Sequence, residues 1–118
     1  MTNQSTNFAF TPISVKELAN RLAASEGLQL VDVREPQEVA IASITGFENL
    51  PLSEYANWSE QIQTRFDPHT ETIVLCHHGM RSAQMCQWLA SQGFTNIKNV
   101  EGGIEAYSVV VDPSIPRY

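Results

Sequence analysis

The chain is poor in cysteine, in cations and in long apolar runs, and each shortage excludes a class of protein. Two cysteines, Cys76 and Cys86, in 118 residues cannot make a disulfide framework, and they suit a reducing compartment. A cytoplasmic location is expected. Seven Lys and Arg stand against thirteen Asp and Glu, a net charge of −6. Nucleic acid is therefore not expected as a partner, because neutralising phosphates needs clustered cations. No apolar run approaches the roughly 20 residues of a membrane helix, so no membrane is expected either. Met1 to Thr11 is polar and has neither a basic patch nor an apolar core, which argues against a secretory signal.

Apolar residues make up 42% and charged residues 17%, both ordinary for a globular protein. The length fits one domain. We expect a disordered lead over 1–7 and a single domain over 8–118. A short edge strand is expected at Phe8 to Ile13, ending near Thr11-Pro12. Ser14 and Glu17 have the spacing of a capping box ahead of a helix that buries Val15, Leu18 and Leu22. Leu28 to Val33 reads as a buried parallel strand. Glu35-Pro36 opens a short helix. Phe47 to Leu50 suits a short strand, and Ser53 to Arg65 a helix. Thr72 to Leu75 is the clearest central strand: short, apolar and β-branched. A helix follows from about Ser82 to Gln92, then a strand from Ile97 to Val100, then Gly102-Gly103 and a short helix. The tail from Asp112 to Tyr118 is expected to lie extended on the surface. Strands alternating with helices imply an α/β fold with a mostly parallel sheet.

The chemistry concentrates in Cys76-His77-His78-Gly79-Met80-Arg81-Ser82. A strand delivers a cysteine to its carboxyl end, where open α/β sheets bind ligands. A short loop with one glycine then leads into a helix. Inward-facing N–H groups, the helix dipole and Arg81 would together favour an anion there. No Asp or Glu occurs between Thr72 and Asn96, so an acidic chain can still be locally positive at this loop. Arg81 stands in the first helical turn, where a cation opposes the dipole, and a residue set against its local preference is a candidate for function.

Blander readings compete. A cysteine at a strand end is often only a small buried residue, and the Gly79, Arg81 and Ser82 context tips Cys76 toward chemistry. Cys86 reads as a core residue, with a resolving thiol as the sharper alternative. Adjacent histidines rarely hold one structural metal by themselves, and no third ligand lies near in sequence. His77 and His78 are therefore assigned to the pocket rim, and no metal or cofactor is expected. Asp32 and Glu38 read as structural, whereas Arg34 is a possible pocket residue. Gly102-Gly103 suits a tight turn beside the loop.

The loop resembles the C-x-x-G-x-R-S active-site segment of the rhodanese family. Four other segments resemble that family in the same order. Asp32 to Glu38 is similar to D-V-R-x-x-x-E, and Ile44 to Leu52 to I-x-G-A-x-N-I-P-L. Trp88 to Phe94 is similar to L-x-x-x-G-F/Y, and Glu101 to Tyr107 to x-G-G-x-x-A-W. Three positions depart from the pattern: Ser43 stands for a His, Phe47 for a small residue and Tyr107 for a Trp. The resemblance implies a rhodanese-like three-layer fold with helices on both faces of the sheet. It implies a sulfurtransferase that takes sulfane sulfur from thiosulfate or a related donor onto Cys76. The persulfide would lie among the backbone donors of His77 to Ser82. A thiol, cyanide or a sulfur-accepting protein would then remove the sulfur.

Two other functions fit the same residues less well. Phosphatases and arsenate reductases with a cysteine nucleophile need five residues between Cys and Arg to close around a tetrahedral oxyanion. Four separate Cys76 from Arg81, and the smaller cup suits a single sulfur. A non-catalytic regulatory or interaction domain would have no need of the intact Cys76 and Arg81.

Overall fold

The computed structural model describes residues 9–24 and 27–118. The lead expected over 1–7, and Phe8, lie outside the described residues. Five strands form one sheet: β1 (Thr11–Ile13), β2 (Gln29–Asp32), β3 (Glu48–Asn49), β4 (Thr72–Leu75) and β5 (Ile97–Val100). Their order is β1-β5-β4-β2-β3 and every pairing is parallel. β4 is central, as its apolar, β-branched sequence requires. From β2 the chain passes to one side, to β3, and from β4 to the other, to β5. The crevice between the carboxyl ends of β2 and β4 is therefore the switch point of the sheet, where this class of fold binds ligands.

Helices cover both faces. Within β4, Ile73 and Leu75 face one core with Val15 and Leu18 of α1 (Val15–Ala24) and Ile104 and Tyr107 of α6 (Gly103–Val110). Val74 faces the other core, and Cys76 continues that alternation just past the strand. Met85, Cys86 and Leu89 of α5 (Met80–Ser91) pack there with Trp58, Ile62 and Phe66. The two-residue period of the strand thus aims Cys76 at the face that α5 covers.

Local signals account for most boundaries. Ser14 Oγ accepts the Glu17 N–H at 3.1 Å ahead of α1. Glu35 and Glu38 form a capping box on α2 (Pro36–Ile41), with Pro36 in its first turn. Two expectations need correction. Ser53 to Arg65 is not one helix. It is broken into α3 (Tyr55–Trp58) and α4 (Ile62–Arg65) with 3₁₀ turns at Leu52–Glu54 and Ser59–Gln61. Ser53, Asn57 and Ser59 are weak helix formers, and the buried Trp58 indole N–H donates to the Pro51 carbonyl at 2.8 Å, which fixes the path of the chain. The tail does not simply run over the surface. Ile115 is buried against the α1/α6 core, and its carbonyl accepts the Ser108 hydroxyl at 2.6 Å. Among the described residues no helix is long and apolar enough to cross a membrane.

Candidate active site

Cys76 follows β4 directly, in the switch-point crevice, and the loop after it is held by the backbone. Gly79 adopts φ +102°, a left-handed conformation that glycine reaches without steric cost, and α5 begins at the next residue. The reversal turns the Gly79 N–H back onto Cys76 Sγ at 3.0 Å. Ser82 adds its hydroxyl at 3.2 Å from the sulfur and is also within hydrogen-bond reach of Asn99 Oδ1. One hydroxyl proton serves one acceptor at a time, so Ser82 can turn its donor either to Asn99 or to the sulfur. Asn99 Nδ2 donates to the Gly79 carbonyl at 3.1 Å, which orients the amide and ties β5 to the loop.

The opposite side of the loop is docked on α6. Gly102 and Gly103 have φ of +78° and +63°. Their turn lets the Ile104 N–H donate to the Cys76 carbonyl at 2.9 Å and the Glu105 N–H to the His77 carbonyl at 3.1 Å. A Cβ on Gly103 would lie 2.3 Å from the His77 carbonyl oxygen. The glycine pair is therefore required by close approach as well as by the turn.

Arg81 stands beside the sulfur on the other flank. Its guanidinium forms a fork with Glu38, Nη1 to Oε1 at 2.7 Å and Nη2 to Oε2 at 2.9 Å. These hydrogen bonds from Arg81 are the main reason the Glu38 carboxyl falls to about 2, and Arg81 is shifted upward by the same pair. Glu38, expected to be structural, thus reaches the site and answers the unfavourable placement of Arg81 in the helix dipole.

Arg34 is a correction to the sequence reading. It does not line the pocket: it is fully buried. Its guanidinium lies against Asp32, with Nη2 to Oδ2 at 2.7 Å, and Nη2 also donates to the Ala42 carbonyl at 2.7 Å. A buried charge must be paired, and Asp32, two residues away on the same strand end, is its partner.

The loop residues Cys76, His77, His78, Met80 and Arg81 line an open cavity of about 220 Å³. That is roughly seven water volumes, at about 30 Å³ each. Larger grooves of about 430 and 470 Å³ lie beside the tail and beside Ser43 to Thr45. They contain no cysteine, so chemistry and not size assigns the site. Met80 is 79% exposed at the rim.

The histidines differ. The His77 ring lies between the rings of His78 and Tyr118, each centroid 3.9 Å away. Burial first, and then the neighbouring His78, lower its pKa. Its Nε2 is buried and has no hydrogen-bond partner among the described residues. A third potential metal ligand, absent nearby in sequence, comes from α6: Glu105 brings a carboxylate oxygen within 4.8 Å of both imidazoles. The two stacked rings are only 25° from parallel. Glu105, however, is already paired with Arg117.

Cys86 is fully buried in α5, and burial, then the charge of Cys76, push its thiol up to about 12. It is a core residue and remains protonated in neutral solution. Asn99 and Tyr118 were missed from the sequence. Asn99 had a signal, as a polar residue inside the buried strand Ile97–Val100. Tyr118 had none.

Comparison with known proteins agrees with this geometry. A family model described as Rhodanese-like domain matches residues 14–109. The chain is 46% identical over 109 residues to the Rhodanese-like/PpiC domain-containing protein 12, chloroplastic, of Arabidopsis thaliana, covering 90% of this chain but only 36% of that relative. It is 34% identical over 91 residues to the Pseudomonas putida protein named thiosulfate sulfurtransferase GlpE, covering 77% of this chain and 79% of the relative. A crystal structure of a rhodanese-related protein from Thermoplasma volcanium superposes with a TM-score of 0.72 at 28% identity, over 92% of this chain and all of that one. With its parallel sheet, its glycine-turned cysteine loop and this match over most of its length, the chain belongs to the rhodanese-like domain family.

Proposed function

We propose that the protein is a sulfurtransferase that moves sulfane sulfur from thiosulfate to a thiol or cyanide through a Cys76 persulfide. The observation that carries this is the convergence of the Gly79 N–H and the Ser82 hydroxyl on Cys76 Sγ, with Arg81 beside them. Donors aimed at sulfur suit the negative sulfur of a persulfide. In the first half-reaction the thiolate attacks the outer sulfur of thiosulfate. A new S–S bond forms, the old one breaks with its electron pair, and sulfite leaves. In the second, cyanide or a thiolate attacks the terminal sulfur and Cys76 leaves as thiolate. Neither half-reaction needs an outside oxidant or reductant.

Among the described residues that line the cavity Arg81 is the one strong cation, and it would attract the dianion in competition with Glu38. The small cavity supports a small anion as donor. The name of the Pseudomonas putida relative supports thiosulfate in particular. A sulfur-accepting protein could approach over the exposed rim at His78 and Met80.

Intact mass after incubation with thiosulfate tests the reading. The reduced chain should gain one sulfur atom, and cyanide should remove it. Cys76→Ser should do neither. Loading that persists in Cys76→Ser would place the chemistry elsewhere.

A further inference from the structure

After α6 the chain is led back to the site by a series of anchors. Ser114 donates its N–H and hydroxyl to Asp112 Oδ1. Ile115 is buried, and Arg117 pairs with Glu105. These place Tyr118 against His77 of the cysteine loop and against the Glu38 carboxylate. Its ring stacks on His77 with planes only 8° apart. Its hydroxyl accepts from Arg34 Nη1 at 2.8 Å and donates to Glu38 Oε2 at 2.9 Å.

The direction of that relay is forced. Arginine has only donors, so the phenol oxygen must accept from Arg34. Its single proton is then left for Glu38. Glu38 also accepts the Glu35 N–H at 3.0 Å and both arms of Arg81. Tyr118 therefore competes with Arg81 for the negative charge of Glu38. The fork holds two of the five Arg81 N–H donors and offsets its charge, so an anion arriving at Cys76 competes with Glu38 for Arg81, and any donor that satisfies Glu38 eases that competition.

On the sulfur-transfer reading above, we propose that Tyr118 is a positioning residue for the anionic donor: its hydroxyl holds Glu38 and sets how readily Arg81 turns to the incoming anion. The buried Arg34–Asp32 pair is the fixed post from which the hydroxyl acts. Arg34 then serves the site at one remove, without lining it.

The test is Tyr118→Phe, which keeps the ring on His77 and removes only the hydroxyl. In a two-step cycle, kcat/KM for thiosulfate reports the donor half-reaction and kcat/KM for cyanide the acceptor half. Tyr118→Phe should lower the first about threefold to tenfold, the range for one charge-assisted hydrogen bond lost indirectly. The second should stay within about twofold on the same scale. A merely structural role would lower both alike along with the melting temperature, and that result overturns the proposal, as does no change in either.

A second measurement is independent of turnover. Cys76 is alkylated with anionic iodoacetate and with neutral iodoacetamide, and the rate ratio reports how available Arg81 is to an anion. The ratio should fall in Tyr118→Phe. It should not fall further when the same change is made on Glu38→Gln, because the effect runs through that carboxylate. An unaltered ratio in Tyr118→Phe, or equal drops on both backgrounds, also sinks the proposal. An unsubstituted chain that shows the expected alkylation ratios but no thiosulfate turnover would overturn the sulfur-transfer reading and leave the Tyr118–Glu38–Arg81 coupling standing.

Discussion

The two flanks of the cysteine loop are built on different principles. On the α6 side, main chain meets main chain: carbonyls of Cys76 and His77 receive N–H groups from Ile104 and Glu105, and Gly103 leaves no room for a side chain. On the α5 side, side chains from distant segments meet: Arg81 with Glu38, Glu38 with Tyr118, Tyr118 with Arg34. The first flank sets where the sulfur sits and has no slack. The second sets the charge around it and can exchange partners, because an ion pair with part of its surface in water costs little to reopen. The proposed sulfur-transfer cycle, which takes in one anion and releases another, would use both properties.

The largest effect should come from the rigid flank. Gly103→Ala places a Cβ against the His77 carbonyl and strains a left-handed φ, which should cost roughly 2–4 kcal/mol. Turnover should fall by more than about tenfold, since misplacing reacting groups by an ångström is that costly. Gly93→Ala is the matched control. It also has a positive φ, but a Cβ there meets nothing within 4 Å, so only strain of about 1 kcal/mol is expected. Thermal unfolding of both variants would decide. Equal losses would mean that close approach to the loop is not what Gly103 provides.

On the adaptable flank the balance between stability and activity should reverse. Arg81→Ala should cost about 1 kcal/mol or less near neutral pH, since the pair is partly exposed. Yet kcat/KM for thiosulfate should drop about tenfold to a hundredfold. The pH dependence has a definite sign. Glu38 is depressed to about 2, chiefly by Arg81. The stability the pair contributes is therefore fully present above the unfolded carboxyl value, about 4.3, and is lost as pH falls toward 2. Melting temperatures of the parent and Arg81→Ala should differ by a constant amount above pH 5 and converge below it, at about pH 2–3. A gap that persists at low pH would remove Glu38 as the partner that matters.

The smallest effect belongs to a residue on neither flank. Cys86→Ala should load sulfur as fully as the parent chain and lose about 1 kcal/mol from a small cavity. Reduced loading, read by intact mass, would restore a resolving role to Cys86 that its burial and raised pKa oppose.

Much of the rigid flank was legible in the amino-acid order because it is made of neighbours. Thr72 to Leu75 announces a buried strand, Gly79 a reversal and Gly102-Gly103 a second one, all within a few residues of the groups they place. The strand limits Thr72–Leu75 and Ile97–Val100 agree with the sequence expectation. The helix expected at Ser53 to Arg65 did not survive as one piece, since local propensity there is weak and the burial of Trp58 decides the path.

The α/β alternation, the cysteine at a strand end and the glycines that turn the chain around it are all written in the amino-acid order, because φ restrictions, strand periodicity and capping act over a few residues. The electrostatics arise from long-range folding. Arg81 meets a carboxylate 43 positions away, Tyr118 meets the same carboxylate across 80 positions, and Arg34 turns inward to Asp32. Spacing carries no record of such pairs. Which charges meet, and which are left for a substrate, follows from how the sheet order brings the carboxyl ends of β2 and β4 together.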